Sequence, residues 1–314
     1  MKIVVLDGAT LGEDIDLSPL YDVGEVTVYP SSSESEMSER LSGADCAVVN
    51  KLKMNETTLA DASDLKLICV AATGYDNIDL EYCKKRNIAV CNVLGYSTNS
   101  VAQVTVAMVL SLYNRLEEYR KYVNDGRYTA RGVANALVPV YHEIAGKKWG
   151  IVGLGNIGRK VADVATALGC EVVAYKRTVV DDYKCIDIDE LVETCDIITV
   201  HTPLNDGTRN LISRERIDKM KKGTVVVNVA RGAVCDESAL AESAKNGKIY
   251  LGVDVYTNEP FGEKHPFYEL RGLDNVCMTP HMAWGAYESR NRCVSEIAEN
   301  IKSFKENKKR NRLV

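Results

Sequence analysis

KWGIVGLGNIGRKVADVATALG, residues 148–169, reads as a strand, a glycine turn and a helix in immediate succession. Gly153 permits a tight turn, Gly155 lets the backbone approach a pyrophosphate, and Gly158 allows the helix to pack closely on the strand. The first N–H groups of that helix have no partner inside it and can hold the anion. The stretch points to a dinucleotide-binding α/β unit.

About 20 residues after such glycines the second strand ends beside the adenine ribose, where an acidic residue would accept from both hydroxyls. Here EVVAY (171–175) is followed by Lys176, Arg177 and Thr178. Two cations and a hydroxyl suit a 2′-phosphate and leave no acceptor for a free 2′-hydroxyl, so NADPH is expected over NADH. NAD is the alternative, with Asp181 or Asp182 reaching the ribose.

Downstream, helices near 189–194, 213–221 and 236–246 alternate with DIITVHTP (196–203), TVVVNVA (224–230), YLGVDVY (250–256) and NVCMTP (275–280). With 148–152 and 171–175 these make six strands of one doubly wound sheet. Upstream, near-continuous apolar runs at 3–6, 26–29, 47–50, 65–71 and 88–93 suggest a second, buried parallel sheet. A long helix is expected between the two, with Asn99 or Ser100 as cap and Val101, Val104, Met108, Leu112 and Leu116 as its apolar face, running toward Tyr122 and ended by NDGR, 124–127. The last helix should run from about Trp284 to Lys305, leaving KENKKRNRLV as a solvated terminus.

The chain's 314 residues are enough for two domains. Its 46% hydrophobic and 26% charged content excludes disordered and collagenous classes. A net charge of −5 gives no electrostatic reason to expect nucleic acid or an anionic membrane as partner. The ten cysteines include no C-x-x-C, which suits no zinc site, and no metal is expected. Most lie in apolar runs, where a thiol acts as a small buried hydrophobe, so a reducing cytoplasm is the expected location. MKIVVLDG reads as a strand and not as a signal peptide.

GLGNIG, VHTPLNDGTRNLI, VNVARGAV, VDVYTNEP and MTPHMAWGA, in that order and spacing, resemble the D-isomer-specific 2-hydroxy acid dehydrogenases. The likeness extends to ATGYDNIDL (72–80) and so covers essentially the whole chain. It is strongest toward the glycerate dehydrogenase and hydroxypyruvate or glyoxylate reductase branch. What it implies is a catalytic set of Arg231, Glu259 and His281. The residue chemistry agrees with that set. Reducing a 2-keto acid needs a cation to hold the carboxylate and polarise the carbonyl, which the guanidinium of Arg231 can do. It also needs a proton donor working near neutral pH, the task of His281. Glu259 can bond the other imidazole nitrogen and fix its tautomer.

The resemblance further places Asp254 at the nicotinamide carboxamide with Val229 and Ala230 beside it, Asn156 and Ile157 at the pyrophosphate, and Thr202 and Pro203 on the adenosine side. His201 resembles a cofactor-pocket position, whereas His142 and His265 read as structural. Thr73 and Gly74 offer backbone N–H groups for a small carboxylate. Lys51 and Lys53 could meet a distal anion. The chain departs from the family at its basic cofactor-ribose position, so the family's frequent NAD preference is not carried over, and at Gln103 and Val104, which stand where members commonly carry Glu-His after the same Ser-Val-Ala.

The expected architecture is therefore α/β, two doubly wound domains, with a Rossmann dinucleotide domain (99–283) inserted into a flavodoxin-like substrate domain (1–98 plus 284–314) and the active site in the cleft between them. The expected activity is hydride transfer between NAD(P)H and a small 2-keto acid, hydroxypyruvate or glyoxylate first. Rivals are a phosphoglycerate or D-lactate type dehydrogenase and, from another class, a dinucleotide-sensing corepressor. The resemblance implies a homodimer through the helix at 100–122.

Overall fold

The computed structural model describes residues 1–178 and 182–314 and contains two compact units, Met1–Ser97 with Trp284–Val314, and Thr98–Ala283. In the first unit β1 (Lys2–Val5), β2 (Glu25–Val28), β3 (Cys46–Val49), β4 (Leu67–Val70) and β5 (Ala89–Cys91) form a parallel sheet in the order β2-β1-β3-β4-β5. Helices α1 (Ser18–Tyr21), α2 (Met37–Leu41) and α3 (Leu80–Lys85) belong to the same unit. Every residue of β3 and β4 is buried, as a parallel strand covered on both faces requires. Alternate residues feed two cores: Ile3, Val5, Val48 and Leu67 on one face, Val4, Leu6, Val49 and Ile68 on the other.

The second unit begins with α4 (Thr98–Tyr113), α5 (Leu116–Asn124) and α6 (Arg127–Arg131). It continues through β6 (Lys148–Val152), α7 (Asn156–Ala167), β7 (Glu171–Tyr175), β8 (Lys184–Cys185), α8 (Ile188–Thr194) and β9 (Ile197–Val200). It closes with α9 (Arg214–Lys219), β10 (Thr224–Asn228), α10 (Glu237–Lys245), β11 (Ile249–Val253) and β12 (Val276–Met278). Its parallel sheet has the order β12-β11-β10-β9-β6-β7-β8. Counted from β6 this is the 3-2-1-4-5-6 order of dinucleotide-binding sheets with one strand added at the far edge. A last helix, α11 (Tyr287–Lys305), returns to the first unit, where Val294, Ile297 and Ile301 enter the core.

Both sheets are doubly wound, as the alternation of apolar runs and helices implies. Three details differ from expectation. The sheet of the second unit has seven strands among the described residues, because two-residue β8 pairs with β7 and is too short to show any periodicity. The long helix is broken between Tyr113 and Leu116: Arg115 is left-handed (φ 55°) and its guanidinium grips Glu118 at 2.6 and 3.0 Å. The basic terminus is not simply solvated. Leu313 N–H donates to Val90 O at 2.8 Å and Arg312 bridges Cys91 in antiparallel fashion, so the tail covers the open edge of β5. Among the described residues no helix is long and apolar enough to cross a membrane.

Candidate active site

The order of the second sheet reverses at β6, whose neighbours are β7 and β9, and ligands of such sheets bind outside the strand ends at that point. The turn after β6 and the segment after β9 meet there. A Cβ on Gly153 (φ 99°) would lie 2.7 Å from Thr202 N and 2.8 Å from His201 C, so only glycine fits between them. A Cβ on Gly158 would lie 2.1 Å from Gly153 O, which is how α7 sits tightly on its own turn. Gly155, the N-cap of α7, is exposed, makes no side-chain cap bond and would place a Cβ in open space. Asn156 is exposed and Ile157 half-buried in the same first turn. The helix start is therefore an open cradle of N–H groups, suited to an anion.

His201, the first residue after β9, has both ring nitrogens buried without a hydrogen-bond partner. Burial pushes its pKa down to about 3. An imidazole so held is neutral and waits for a partner, which a polar ligand group at this crevice would supply. Half-buried Thr202 and exposed Pro203 follow, and Thr208 Oγ1 donates to Pro203 O at 2.6 Å to fold the loop back. The open cradle and the orphaned imidazole fit a dinucleotide.

His201 also makes a stability prediction. The unfolded chain takes up a proton on this residue below about pH 6.5 while the folded chain does not, so stability is full above that pH and is lost as pH falls toward 3. Between pH 7.5 and pH 5 wild type should lose up to about 2 kcal/mol on this account, a loss that His201→Leu abolishes. Urea melts at the two pH values read it directly. An identical pH dependence in the variant contradicts the assignment.

Immediately past β7, where the ribose is expected, Lys176 is half-buried and Arg177 and Thr178 are exposed. Asp182 is ion-paired with Arg159 on the first turns of α7. Asp181 lies outside the described residues.

Three further loops carry the remaining candidates. Asn228, buried at the end of β10, accepts from Ala230 N–H at 3.0 Å and donates to Arg231 O at 2.9 Å, pinning the turn of half-buried Val229, Ala230 and Arg231. Arg231 itself is extended, and its guanidinium donates to Ala230 O at 2.8 Å. After β11, Asp254 is buried and accepts from Thr279 Oγ1 at 2.6 Å, Met282 N–H at 2.8 Å and Ala283 N–H at 2.9 Å. Burial raises its carboxyl pKa, and those donors work against that rise. Asp254 thus organises the loop that carries His281.

His281 is left-handed (φ 54°), a conformation that costs a side-chain-bearing residue about 1 kcal/mol or more. Its Nδ1 lies 2.6 Å from Glu259 Oε2. A carboxylate only accepts, so Nδ1 carries the proton and Nε2 is the nitrogen that can exchange one with a ligand. The second oxygen of Glu259 accepts from Tyr256 N–H at 2.9 Å, and Tyr256 Oη donates to Thr279 O at 2.9 Å. One short segment therefore holds both members of the pair.

Residues 106–283 match the model of the D-isomer specific 2-hydroxyacid dehydrogenase family, NAD binding domain. A hydroxypyruvate reductase of Blautia hydrogenotrophica is 33% identical over 97% of this chain and 97% of its own. The chain belongs to this dehydrogenase family. A glycerate dehydrogenase of Methylorubrum extorquens is 34% identical over 99% of this chain and 98% of its own. Among solved structures, an acyclic imino acid reductase in complex with NADPH and D-Arg superposes with a TM-score of 0.88 at 28% identity, covering all of both chains.

The fold thus brings Glu259 and His281 into direct contact, and Gly153 against His201 and Thr202. Thr73 and Gly74 lie in the other unit, in the turn after β4, which is shaped by Thr73 Oγ1 donating to Val93 O at 2.8 Å and Asn92 Nδ2 donating to Thr73 O at 2.8 Å. Reading the sequence missed Asn228 and Tyr256. A polar residue closing the apolar run Val225–Val227 is the available signal for Asn228, whereas Tyr256 reads as the end of a strand.

Proposed function

We propose that the protein reduces small 2-keto acids to 2-hydroxy acids, hydroxypyruvate or glyoxylate first, and that it prefers NADPH. The observation that carries this reading is the 2.6 Å contact between Glu259 and His281, which leaves Nε2 as the proton-exchanging atom. A bound nicotinamide cofactor supplies the hydride. Arg231 holds the substrate carboxylate and polarises the adjacent carbonyl, and His281 passes its Nε2 proton to the carbonyl oxygen as that oxygen gains charge. Glu259 balances the positive charge on the imidazole before transfer. Gly153, Gly155, Asn156, Ile157 and Gly158 would hold the cofactor's pyrophosphate, and Lys176, Arg177 and Thr178 its ribose. His201, Thr202 and Pro203 would face the adenosine side of the cofactor, and Val229, Ala230 and Asp254 its nicotinamide.

The test is a panel of hydroxypyruvate, glyoxylate, pyruvate and 3-phosphohydroxypyruvate with each reduced cofactor. The highest kcat/KM is expected for one of the first two with NADPH. Pyruvate or the phosphorylated acid in first place would favour the lactate or phosphoglycerate reading, and no turnover at all would favour a dinucleotide-sensing protein.

We also propose a homodimer. The helix expected to form its interface does not support the whole of it, because Ala102, Met108, Val109 and Leu112 of α4 are buried in the core of their own unit. The segment from 116 to 141 instead exposes Leu116, Val123, Leu137 (72%), Val138 (70%), Val140 and Tyr141, a concentration of apolar surface that a second copy would cover. Sedimentation equilibrium at micromolar concentration reads the outcome.

A further inference from the structure

His265 and Glu237 form a buried pair that the reaction described above does not use. Their side chains are 6% and 11% exposed, and Nε2 of the histidine lies 3.2 Å from Glu237 Oε2. Phe267 N–H donates to His265 Nδ1 at 3.2 Å, so the ring proton of the neutral imidazole sits on Nε2 and is given to the glutamate. The imidazole is packed among Tyr256, Phe261 and Phe267, with ring centroids 6.0, 5.0 and 5.2 Å away. This is a ring with one orientation and one tautomer.

The other oxygen of Glu237 points at the catalytic loops. Oε1 accepts from Thr257 N–H at 3.0 Å. It would also lie 2.6 Å from a Cβ on Gly232, the residue after Arg231, and that Cβ would be 2.2 Å from Thr257 N and 2.3 Å from Tyr256 C. The backbones bearing Arg231 and Glu259 therefore touch at Gly232 and Thr257, and Glu237 seals the contact. Tyr256 carries the connection onward, through its N–H to Glu259 and its hydroxyl to Thr279, two residues before His281.

Glu237 is not needed to start its own helix. The N-cap of α10 is Asp236, which accepts from Ala239 N–H at 2.9 Å. Nor is a buried pair a good source of stability, since desolvating both groups consumes most of what their attraction returns. What such a pair does supply is geometry: two acceptor atoms at fixed positions.

We propose that Glu237 and His265 are positioning residues that set the register of the 255–260 loop against the backbone that follows Arg231 and thereby present Glu259 to His281. This rests on the catalytic reading of Arg231, Glu259 and His281. Glu237→Met keeps the volume and removes both acceptors; Glu237→Gln keeps one carbonyl oxygen and so one of the two bonds.

Glu237→Met should melt within a few degrees of wild type. Hydrogen exchange across 255–260 should nonetheless quicken about tenfold or more in the free protein. Its kcat should fall about 10- to 100-fold, the scale of a misplaced catalytic group, while the KM for NADPH moves less than about threefold. Glu237→Gln should fall between the two. In the ¹⁵N spectrum of the four histidines the Nδ1–H form of His281 should lose population in Glu237→Met, with His281→Ala giving the assignment. Wild-type exchange and wild-type kcat in Glu237→Met would overturn the proposal, and if that variant does not fold the same two readings on Glu237→Gln decide it. Exchange is read without substrate, so a wild-type protein lacking keto-acid turnover would remove the catalytic reading while the loop coupling is still judged on its own.

Discussion

His281→Ala should reduce hydroxypyruvate at a kcat roughly 10²-fold or more below wild type, the range expected when a general acid is lost. The size follows from how little the remaining groups can compensate. Glu259 faces the imidazole at 2.6 Å and its other oxygen is occupied by Tyr256 N–H, so it is committed to orienting the ring rather than to replacing it as donor. Alanine at φ 54° keeps the unfavourable backbone conformation, so a His281→Asn variant is the better control: asparagine tolerates the left-handed region and removes the imidazole without adding strain. Both variants should bind NADPH within a few-fold of wild type, because no part of the glycine cradle is touched. Near wild-type turnover in either would remove His281 from the chemistry.

What could be read from the sequence was local. Val, Ile and Leu runs bounded by turn residues announce buried parallel strands, and Gly153, Gly155 and Gly158 announce the turn between one strand and its helix. Two-residue β8 has no period to detect, and the break at Arg115 occurs without glycine or proline to mark it. The tail misleads for a different reason: its charges favour solvent, but Leu313 supplies the N–H that an open strand edge needs. At the site, Arg231, Glu259 and His281 are implied by the resemblance of their motifs to the dehydrogenase family, whereas the contact between Glu259 and His281, 22 residues apart, is made only by the fold. His265 shows the limit most clearly. KHPF looks like a polar loop until Tyr256, Phe261 and Phe267 close around it and Glu237, 28 residues earlier, meets its ring.

Replacing Lys176 with Asp and Arg177 with Gln should invert cofactor preference from NADPH to NADH. Each charge-assisted contact to a 2′-phosphate is worth roughly 1.5 to 3 kcal/mol, so two of them favour NADPH by about 10²-fold or more, expressed chiefly in KM. The new carboxylate both accepts from the ribose hydroxyls and repels the phosphate, so the two effects add in the ratio of kcat/KM values. Of the two rival acceptors, Asp181 and Asp182, the second is engaged with Arg159 in the wild type. Breaking that pair gives an internal check: Asp182→Asn frees a third cation on α7, and the NADPH preference should then rise, whereas an Asp182 that bonds the ribose would make the same variant lose affinity for NADH. Salt separates the contributions further. Arg177 is exposed and its grip on a phosphate is screened at about 0.5 M salt, while half-buried Lys176 retains more of its effect, so the wild-type preference should shrink with salt without vanishing. A wild-type enzyme that uses NADH ten times better than NADPH would refute the assignment of these cations to the 2′-phosphate.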